Sequence, residues 1–498
     1  MKKVSYLLLM ICAFVITGVQ ELNAQQKKIE PNWKSIDSRP VPSWFQDAKF
    51  GIFIHWGPYS VPAWSPKGTY SEWYQYWLES KSLFGNGNFS GTEVYDHHVE
   101  TYGPHFSYYN FGEQFTARDF DADKWATLFQ DAGAKYMMIT SKHHDGFTLW
   151  PSETANKTWG FPWNAKDVGA NRDLLKELEV AVKKTDVKFG TYYSLYEWFN
   201  PLWKKDKEKF ALEHMHPQFK DLVENYKPDL IWSDGDWDMS AEKWRSPELL
   251  AWLFNESTVG GKVVINDRWG DGIRFKHGGY FTTEYQSELD GNRPWEECRG
   301  IGFSFGYNTN EDAWDYASER TLIYLLLNVV SNGGNLLLDI GPDAQGNIPP
   351  IMQDRLLAIG DWLKVNGEAI YGTRKWERAC QWSEKGKKDW KPEGTHYLPA
   401  DYIIKQTIDP EPGYGVREIF FTKKDRDLFA IVPIWPKDTL EIRNLKLHPE
   451  AEITLLGTDY KIDYQQKGKH VILKVPYLTA DEVPSKYAYS FKIKNALK

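Results

Sequence analysis

Cysteine is scarce, with three in 498 residues. That excludes a disulfide-framed scaffold, and no cysteine spacing suits zinc. Cys12 lies inside an N-terminal apolar run, which leaves Cys298 and Cys380 to be expected as buried thiols. Positive charge is in deficit: the net charge is -8, so the basic face that nucleic acid requires is missing. Beyond the N-terminus no stretch of about 18 apolar residues occurs, and no membrane span is expected. A phosphate loop is also absent, because Gly333-Gly334 precedes a strand pattern instead of following one. No Gly-x-Ser-x-Gly nucleophile turn stands where an esterase needs it. His143-His144-Asp145 has no metal-ligand spacing, and neighbours on a strand point to opposite faces. Neither a metal nor an organic cofactor is expected.

What is present begins with an export-type leader. Lys2 and Lys3 precede an apolar run from Tyr6 to Gly18, and Ala24 stands before Gln25-Gln26. Residues 1–24 therefore read as a signal peptide, although Leu22 is larger than cleavage sites prefer. Export would place the protein in a periplasm or outside the cell. At roughly 150 residues per domain, the length implies two or three domains. Apolar content of 42% and charged content of 26% are those of an ordinary globular chain. The aromatics stand out, with 24 Trp, 28 Tyr and 26 Phe. Flat rings bury the C–H faces of sugars well, and they also fill large cores.

Two textures divide the chain near Tyr371. Before it, apolar runs at Gly51–His55, Tyr136–Ser141, Phe189–Ser194, Leu230–Ser233, Val263–Asn266 and Asn335–Ile340 alternate with helical patterns. Such runs suit parallel strands buried on both faces. Helices are expected after Asp121, over Arg172–Val182 with Leu174, Leu175, Leu178 and Val182 on one stripe, and over Thr321–Val330. This predicts an α/β fold, a TIM-like barrel over residues 25–371. Later segments alternate with period two, at Glu418–Thr422, Asp427–Ile434, Ala451–Leu456 and Lys469–Val475. They predict an all-β sandwich over residues 372–498. Trp376, Trp382, Trp390 and Trp435 there serve either as core or as glycan platforms.

In a barrel, reactive side chains come from the C-terminal ends of the strands. Those ends carry His55-Trp56, Lys142-His143-His144-Asp145, Tyr192-Tyr193 with Glu197-Trp198, Trp232 through Trp237, Asn266-Asp267-Arg268-Trp269, and Glu284. Carboxylates among aromatic and imidazole rings suggest glycoside hydrolysis, which commonly uses two acids. Asp234 is the candidate nucleophile, with Gly235 leaving room beside it; capping of the next helix is the competing reading. Glu284 is the candidate acid/base, with Glu288, Glu296 and Glu297 as rivals. The loops Gln75–Ser90 and Glu197–Pro217 would set linkage and aglycone preference.

These segments together resemble the α-L-fucosidases of glycoside hydrolase family 29. The resemblance rests on Lys49-Phe50-Gly51-Ile52-Phe53-Ile54-His55-Trp56-Gly57, Ser71-Glu72-Trp73-Tyr74, Lys142-His143-His144-Asp145-Gly146-Phe147 and Phe189-Gly190-Thr191-Tyr192-Tyr193-Ser194. It continues through Trp232-Ser233-Asp234-Gly235, Val264-Ile265-Asn266-Asp267-Arg268-Trp269, Arg299-Gly300-Ile301-Gly302 with Phe305-Gly306-Tyr307-Asn308, and Gly333-Gly334-Asn335-Leu336-Leu337-Leu338. It implies a retaining mechanism with Asp234 as nucleophile and Glu284 as acid/base, Glu288 standing second. It also implies that His55, Glu72, His143 and His144 bond sugar hydroxyls, and that Trp73, Tyr192 and Trp232 line the pocket. Arg268 would contact the sugar or keep the nucleophile ionised, and Phe305 would pack on the C5 methyl. The expected partner is a fucosylated oligosaccharide or glycoconjugate. The alternatives are a galactoside-type glycosidase of the same fold and an inactive sugar-binding protein.

Overall fold

A computed structural model describes residues 28–80, 91–289, 293–395 and 397–497. The leader assigned to residues 1–24, with Cys12, lies outside the described residues, as does the second half of the Gln75–Ser90 loop. Eight parallel strands form the first sheet: β1 (Phe50–Ile54), β2 (Tyr136–Lys142), β3 (Lys188–Ser194), β4 (Leu230–Asp234), β5 (Val264–Ile265), β6 (Phe281–Glu284), β7 (Trp295–Gly300) and β8 (Asn335–Ile340). Their spatial order is β5-β4-β3-β2-β1-β8-β7-β6. That is the circular order of a (β/α) barrel, with β1 paired in parallel to both β2 and β8.

The apolar runs identified in the sequence correspond to β1–β5 and β8. Of the stretch Val263–Asn266, only Val264 and Ile265 join a ladder. No ladder joins β5 to β6 among the described residues. Tyr280 N–H instead bonds the Ile265 carbonyl at 3.1 Å, and Gly279 N–H bonds that of Asn266 at 3.0 Å. A Cβ on Gly279 would stand 1.7 Å from the Ile265 oxygen, so only glycine admits this approach.

Strands β6 and β7 escaped the sequence reading because they are polar. Their side chains point into neighbours that satisfy them. Thr283 donates to Glu297 at 2.5 Å, and Arg299 holds the same carboxylate at 2.9 Å. Tyr136 and Trp232 donate to Glu296 at 2.5 and 3.1 Å. Apolar patterning finds strands that face hydrocarbon, and these two carry buried hydrogen bonds instead.

The barrel's interior is filled mainly by Phe53, Tyr136, Met138, Tyr192, Trp232 and Tyr280. Phe45 closes the base, its ring stacked 4.2 Å from that of Tyr280. Three of the outer helices begin on side-chain caps. In α1 (Ala122–Asp131) the cap is Asp121, accepting from Lys124 N–H. In α2 (Leu174–Val182) it is Asp173, and the predicted apolar stripe is buried. In α3 (Glu319–Ser331) it is Ser318. Such caps satisfy amide protons that the first helical turn leaves free. A fourth helix, α4 (Pro350–Asn366), opens on a proline at its first position, where the missing amide proton costs nothing.

The remaining strands are β9 (Cys380–Trp382), β10 (Arg417–Lys424), β11 (Asp427–Val432), β12 (Thr439–Ile442), β13 (Glu452–Leu455), β14 (Tyr464–Lys467), β15 (His470–Lys474) and β16 (Tyr489–Lys494). They form an antiparallel five-stranded sheet and a three-stranded sheet. Ile419, Phe421 and Leu428 from one meet Ile442, Val471 and Leu473 from the other in a single core. The opposite face of the larger sheet, including Phe420 and Phe429, joins the outer core of the barrel. Tyr324 on α3 bonds the Pro433 and Tyr487 carbonyls, both at 2.9 Å, and Trp362 on α4 bonds that of Ala488 at 3.0 Å. Trp376 lies in the sandwich core, and Trp390 and Trp435 are half-buried against apolar neighbours. Trp382 lies beneath the Arg417 guanidinium, 4.9 Å from its ring centre. Cys298 and Cys380 are both free thiols; Cys298 is buried as expected, whereas Cys380 is only partly buried.

Gly279→Ala should destabilise the protein by about 1–3 kcal/mol, because its methyl has no space at the seam. Thermal unfolding followed by circular dichroism will show a lower midpoint; an unchanged midpoint would mean that the seam relaxes freely.

Candidate active site

A cavity of about 540 Å³ opens at the C-terminal ends of the barrel strands. Asp234 is the last residue of β4. Gly235 follows with φ +69, which turns the chain so that Asp234 faces inward. The next helix takes its cap position at Ser240, so Asp234 does not cap it. Tyr192 donates to Asp234 Oδ2 at 3.0 Å, and Arg268 Nη1 donates to Oδ1 at 2.9 Å. The same guanidinium reaches Glu284 Oε2 from Nη2 at 3.4 Å and Thr282 from Nε at 3.0 Å. It also lies over Trp232, 4.1 Å from the ring centre. Burial pulls the Arg268 pKa down, but the two carboxylates outweigh it and carry the value well above its ordinary level. Tyr70 donates to Glu284 Oε1 at 3.1 Å. Glu284 is the more open acid, its side chain 21% exposed against 11% for Asp234.

Three imidazoles line the wall. Burial, followed by repulsion from neighbouring positive charge, pushes His55, His143 and His144 well below the usual histidine range. They are neutral at physiological pH, and each offers one donor and one acceptor. The Ser194 hydroxyl donates to the Tyr196 carbonyl at 2.6 Å and so accepts from His144 Nδ1, also at 2.6 Å. His144 Nε2 lies 3.3 Å from the Tyr192 hydroxyl and 3.6 Å from Asp234 Oδ2. His55 Nδ1 meets Asp339 Oδ1 at 2.6 Å, and burial drives both partners toward their neutral forms. His143 Nδ1 is buried with no hydrogen-bond partner among the described residues.

His143 and His144 do not face opposite ways, contrary to the strand argument. Strand β2 ends at Lys142, and both rings turn into the cavity with centres 4.2 Å apart. Glu72 sits in a turn of 3₁₀ helix, Ser71–Trp73. It accepts from Gly306 N–H at 2.8 Å and from Ser304 at 3.4 Å. Burial raises its pKa from the usual 4.5 to about 8. Trp73 packs 5.1 Å from Trp198, and Phe305 packs 5.0 Å from His55.

This arrangement can be set beside known proteins. A family model for α-L-fucosidase matches residues 16–368, and one for the α-L-fucosidase C-terminal domain matches residues 415–494. The chain belongs to the α-L-fucosidase family. Among its fucosidase relatives, rat tissue α-L-fucosidase is 40% identical over 475 residues, covering 93% of this chain and 92% of that protein. The human tissue α-L-fucosidase is 38% identical over 499 residues, covering 98% and 96%. The structure of Thermotoga maritima α-fucosidase with a mechanism-based inhibitor superimposes with a TM-score of 0.75 at 33% identity, covering 93% of this chain and 99% of that one. The same enzyme in complex with fucose gives 0.73 at 32% identity, with 93% and 99% covered.

For this fucosidase family member, the two first-choice acids and the nine residues expected to bind the sugar border one cavity. Asp234, Glu284, His55, Glu72, Trp73, His143, His144, Tyr192, Trp232, Arg268 and Phe305 all line it. The rival acids do not. Glu288 is solvent-exposed and outside the cavity. Glu296 and Glu297 are spent on the buried hydrogen bonds of β6 and β7. Glu197 is buried behind the wall against Lys142 at 2.9 Å and His214 at 2.6 Å.

Sequence reasoning missed Tyr70, Arg274, Tyr397 and Asp339. Asp339 carried a usable signal, a lone acid in the apolar run Leu336-Leu337-Leu338-Asp339-Ile340. Tyr397 carried none, because it returns to the barrel mouth from beyond β9.

Glu72 yields a pH prediction. A carboxyl whose folded pKa is raised contributes most stability below its unfolded value and loses it as pH rises to the folded value. The loss therefore runs from about pH 4.5 to about pH 8. Glu72→Gln should remove that loss, raising the unfolding midpoint relative to wild type at pH 8 but not at pH 4.5. The gain is on the order of a few kcal/mol. Equal offsets at both pH values would refute a buried, proton-holding Glu72.

Proposed function

We propose that the chain hydrolyses terminal α-L-fucosides with retention of configuration, Asp234 acting as nucleophile and Glu284 as acid/base. The observation that carries this reading is the guanidinium of Arg268 shared between the two carboxylates in a cavity lined by aromatic and imidazole rings. Retaining glycosidases keep their acids about 5–5.5 Å apart, while inverting ones leave about 6.5–9.5 Å for a water. Two acids bonded to one guanidinium are compatible with the shorter spacing.

In the first step Asp234 Oδ attacks the anomeric carbon, and the bond from that carbon to the leaving oxygen breaks. Glu284 gives its proton to that oxygen. In the second step Glu284 takes a proton from water, whose oxygen displaces Asp234. Two inversions leave the product in the starting configuration. Tyr192 and Arg268 each donate to an oxygen of Asp234 and hold the carboxylate in place. Glu284 makes the longer contact to Arg268 and is the more open of the two acids, on the side where a leaving group can reach it. The neutral imidazoles suit uncharged hydroxyls, and Phe305 offers an apolar surface for the C5 methyl. A galactoside would place a polar group there. That discrimination is worth about 1–3 kcal/mol, so the hydroxyl contacts carry most of the selectivity. Fucosylated glycans are thus the assigned substrates, met after export directed by residues 1–24.

With an aryl α-L-fucoside, wild type should release α-fucose first, and Asp234→Ala should lose on the order of a thousandfold in kcat. Glu284→Ala should be rescued by azide as the α-azide, formed through two displacements, whereas a nucleophile variant would give the β-azide through one. Initial β-fucose from wild type would overturn the retaining assignment. Undiminished activity in Glu284→Ala, or its loss in Glu288→Ala, would reassign the acid/base.

A further inference from the structure

A second groove, of about 730 Å³, lies beside the active cavity and shares two of its residues, Trp237 and Asp238. One wall is the helical stretch from Asp206 to Glu213 that follows β3, and the other runs from Trp237 to Lys243. A volume in the range of about 300–1,000 Å³ is that of a ligand site in its own right. Trp237 stands at the junction. The residue is 40% exposed. It is nevertheless held on several sides: near-parallel to Trp73 at 18°, 6.5 Å away, and edge-on to His144 and Tyr196 at 5.5 and 5.6 Å. A ring fixed by its neighbours and open on one face is a preorganised platform for the apolar face of a sugar.

The charges of the groove indicate which sugars. Each lysine on its walls is paired: Lys207 with Asp238 at 2.9 Å, Lys209 with Glu213 at 3.7 Å and Lys243 with Glu208 at 3.6 Å. Asp206 and Asp271 add negative charge. Among the described residues of the lining there is no cation left over for a carboxylate or sulfate. Hydroxyl groups, by contrast, can bond to both members of each pair.

We infer that this groove binds the part of the substrate beyond the fissile bond, and that it selects uncharged oligosaccharides whose sugars continue over Trp237. The inference rests on the fucosidase reading of the adjoining cavity. Fucose fills the cavity under His55 and Phe305, the next sugar crosses Trp237, and those after it lie between Leu212 and Ser240. The aryl group of an aryl fucoside takes the place of the first sugar on Trp237 and does not reach the walls between Leu212 and Ser240.

The test compares kcat/KM for an aryl α-L-fucoside, a neutral fucosylated tetrasaccharide and the same tetrasaccharide bearing a sialic acid. Wild type should prefer the neutral tetrasaccharide to the sialylated one by about tenfold, a difference near 1.4 kcal/mol. Trp237→Ala should lower the tetrasaccharide value about tenfold more than the aryl value, chiefly through KM, with Trp237→Phe recovering most of that difference. Leu212→Arg, which fills the groove from a half-exposed position remote from the acids, should reproduce that split. Equal losses on both substrates, no loss on either, or indifference to the sialic acid would overturn the groove assignment. Failure of wild type on every fucoside would instead overturn the fucosidase reading.

Discussion

The barrel's mouth depends on one guanidinium. Two carboxyl groups border one cavity, and both bond a single positive charge. Arg268 supplies it to both, from adjacent nitrogens of one rigid plane. Lysine could not do this, because it offers a point charge without the fork. The plane is fixed by Thr282 on one edge and by the Trp232 face beneath. Trp232 is in turn anchored through its indole N–H to Glu296. The chain of support thus runs from the floor of the barrel through an aromatic ring to the charge that sets the character of both acids.

Around this centre the wall is electrically quiet. Burial leaves the imidazoles neutral, and it leaves Glu72 and Asp339 holding protons that exposed carboxyls would have released. Apart from Arg274 and Asp238, the lining confines charge to Arg268 and its partners and presents hydrogen-bonding groups without net charge. That division suits a ligand made of hydroxyls and one apolar face. Every polar wall group can exchange bonds with water for bonds with sugar, and no ion must be stripped of its shell.

Much of this could be read from the residues, for a physical reason. Strands β1 to β5 and β8 are apolar because both their faces are buried, so their ends, and hence His55, His143, Asp234 and Arg268, were locatable. Strands β6 and β7 were invisible to the same logic, since Thr283, Glu296, Glu297 and Arg299 are buried as a hydrogen-bonded set. Glu284 could be nominated only beside rivals; the fold separates it from Glu288 by turning one into the cavity and the other to solvent. The inward turn of both His143 and His144 depended on β2 stopping at Lys142, which periodicity does not specify. Tyr397 and the wall from Asp206 to Glu213 depend on long-range packing that no local pattern encodes.

The seam between β5 and β6 gives the site a mechanical meaning. Elsewhere the sheet is closed by ladders, but here two backbone bonds and a glycine bring the edges together. Side chains complete the closure. Asp267 and Arg268, just past β5, both bond Thr282 on β6, and Arg268 reaches on to Glu284 at that strand's end. The residues that carry the reactive charge are therefore also the clasp of the cylinder. Chemistry and closure share the same bonds, so a change that alters the charge of this group also slackens the hoop that holds the pocket's shape.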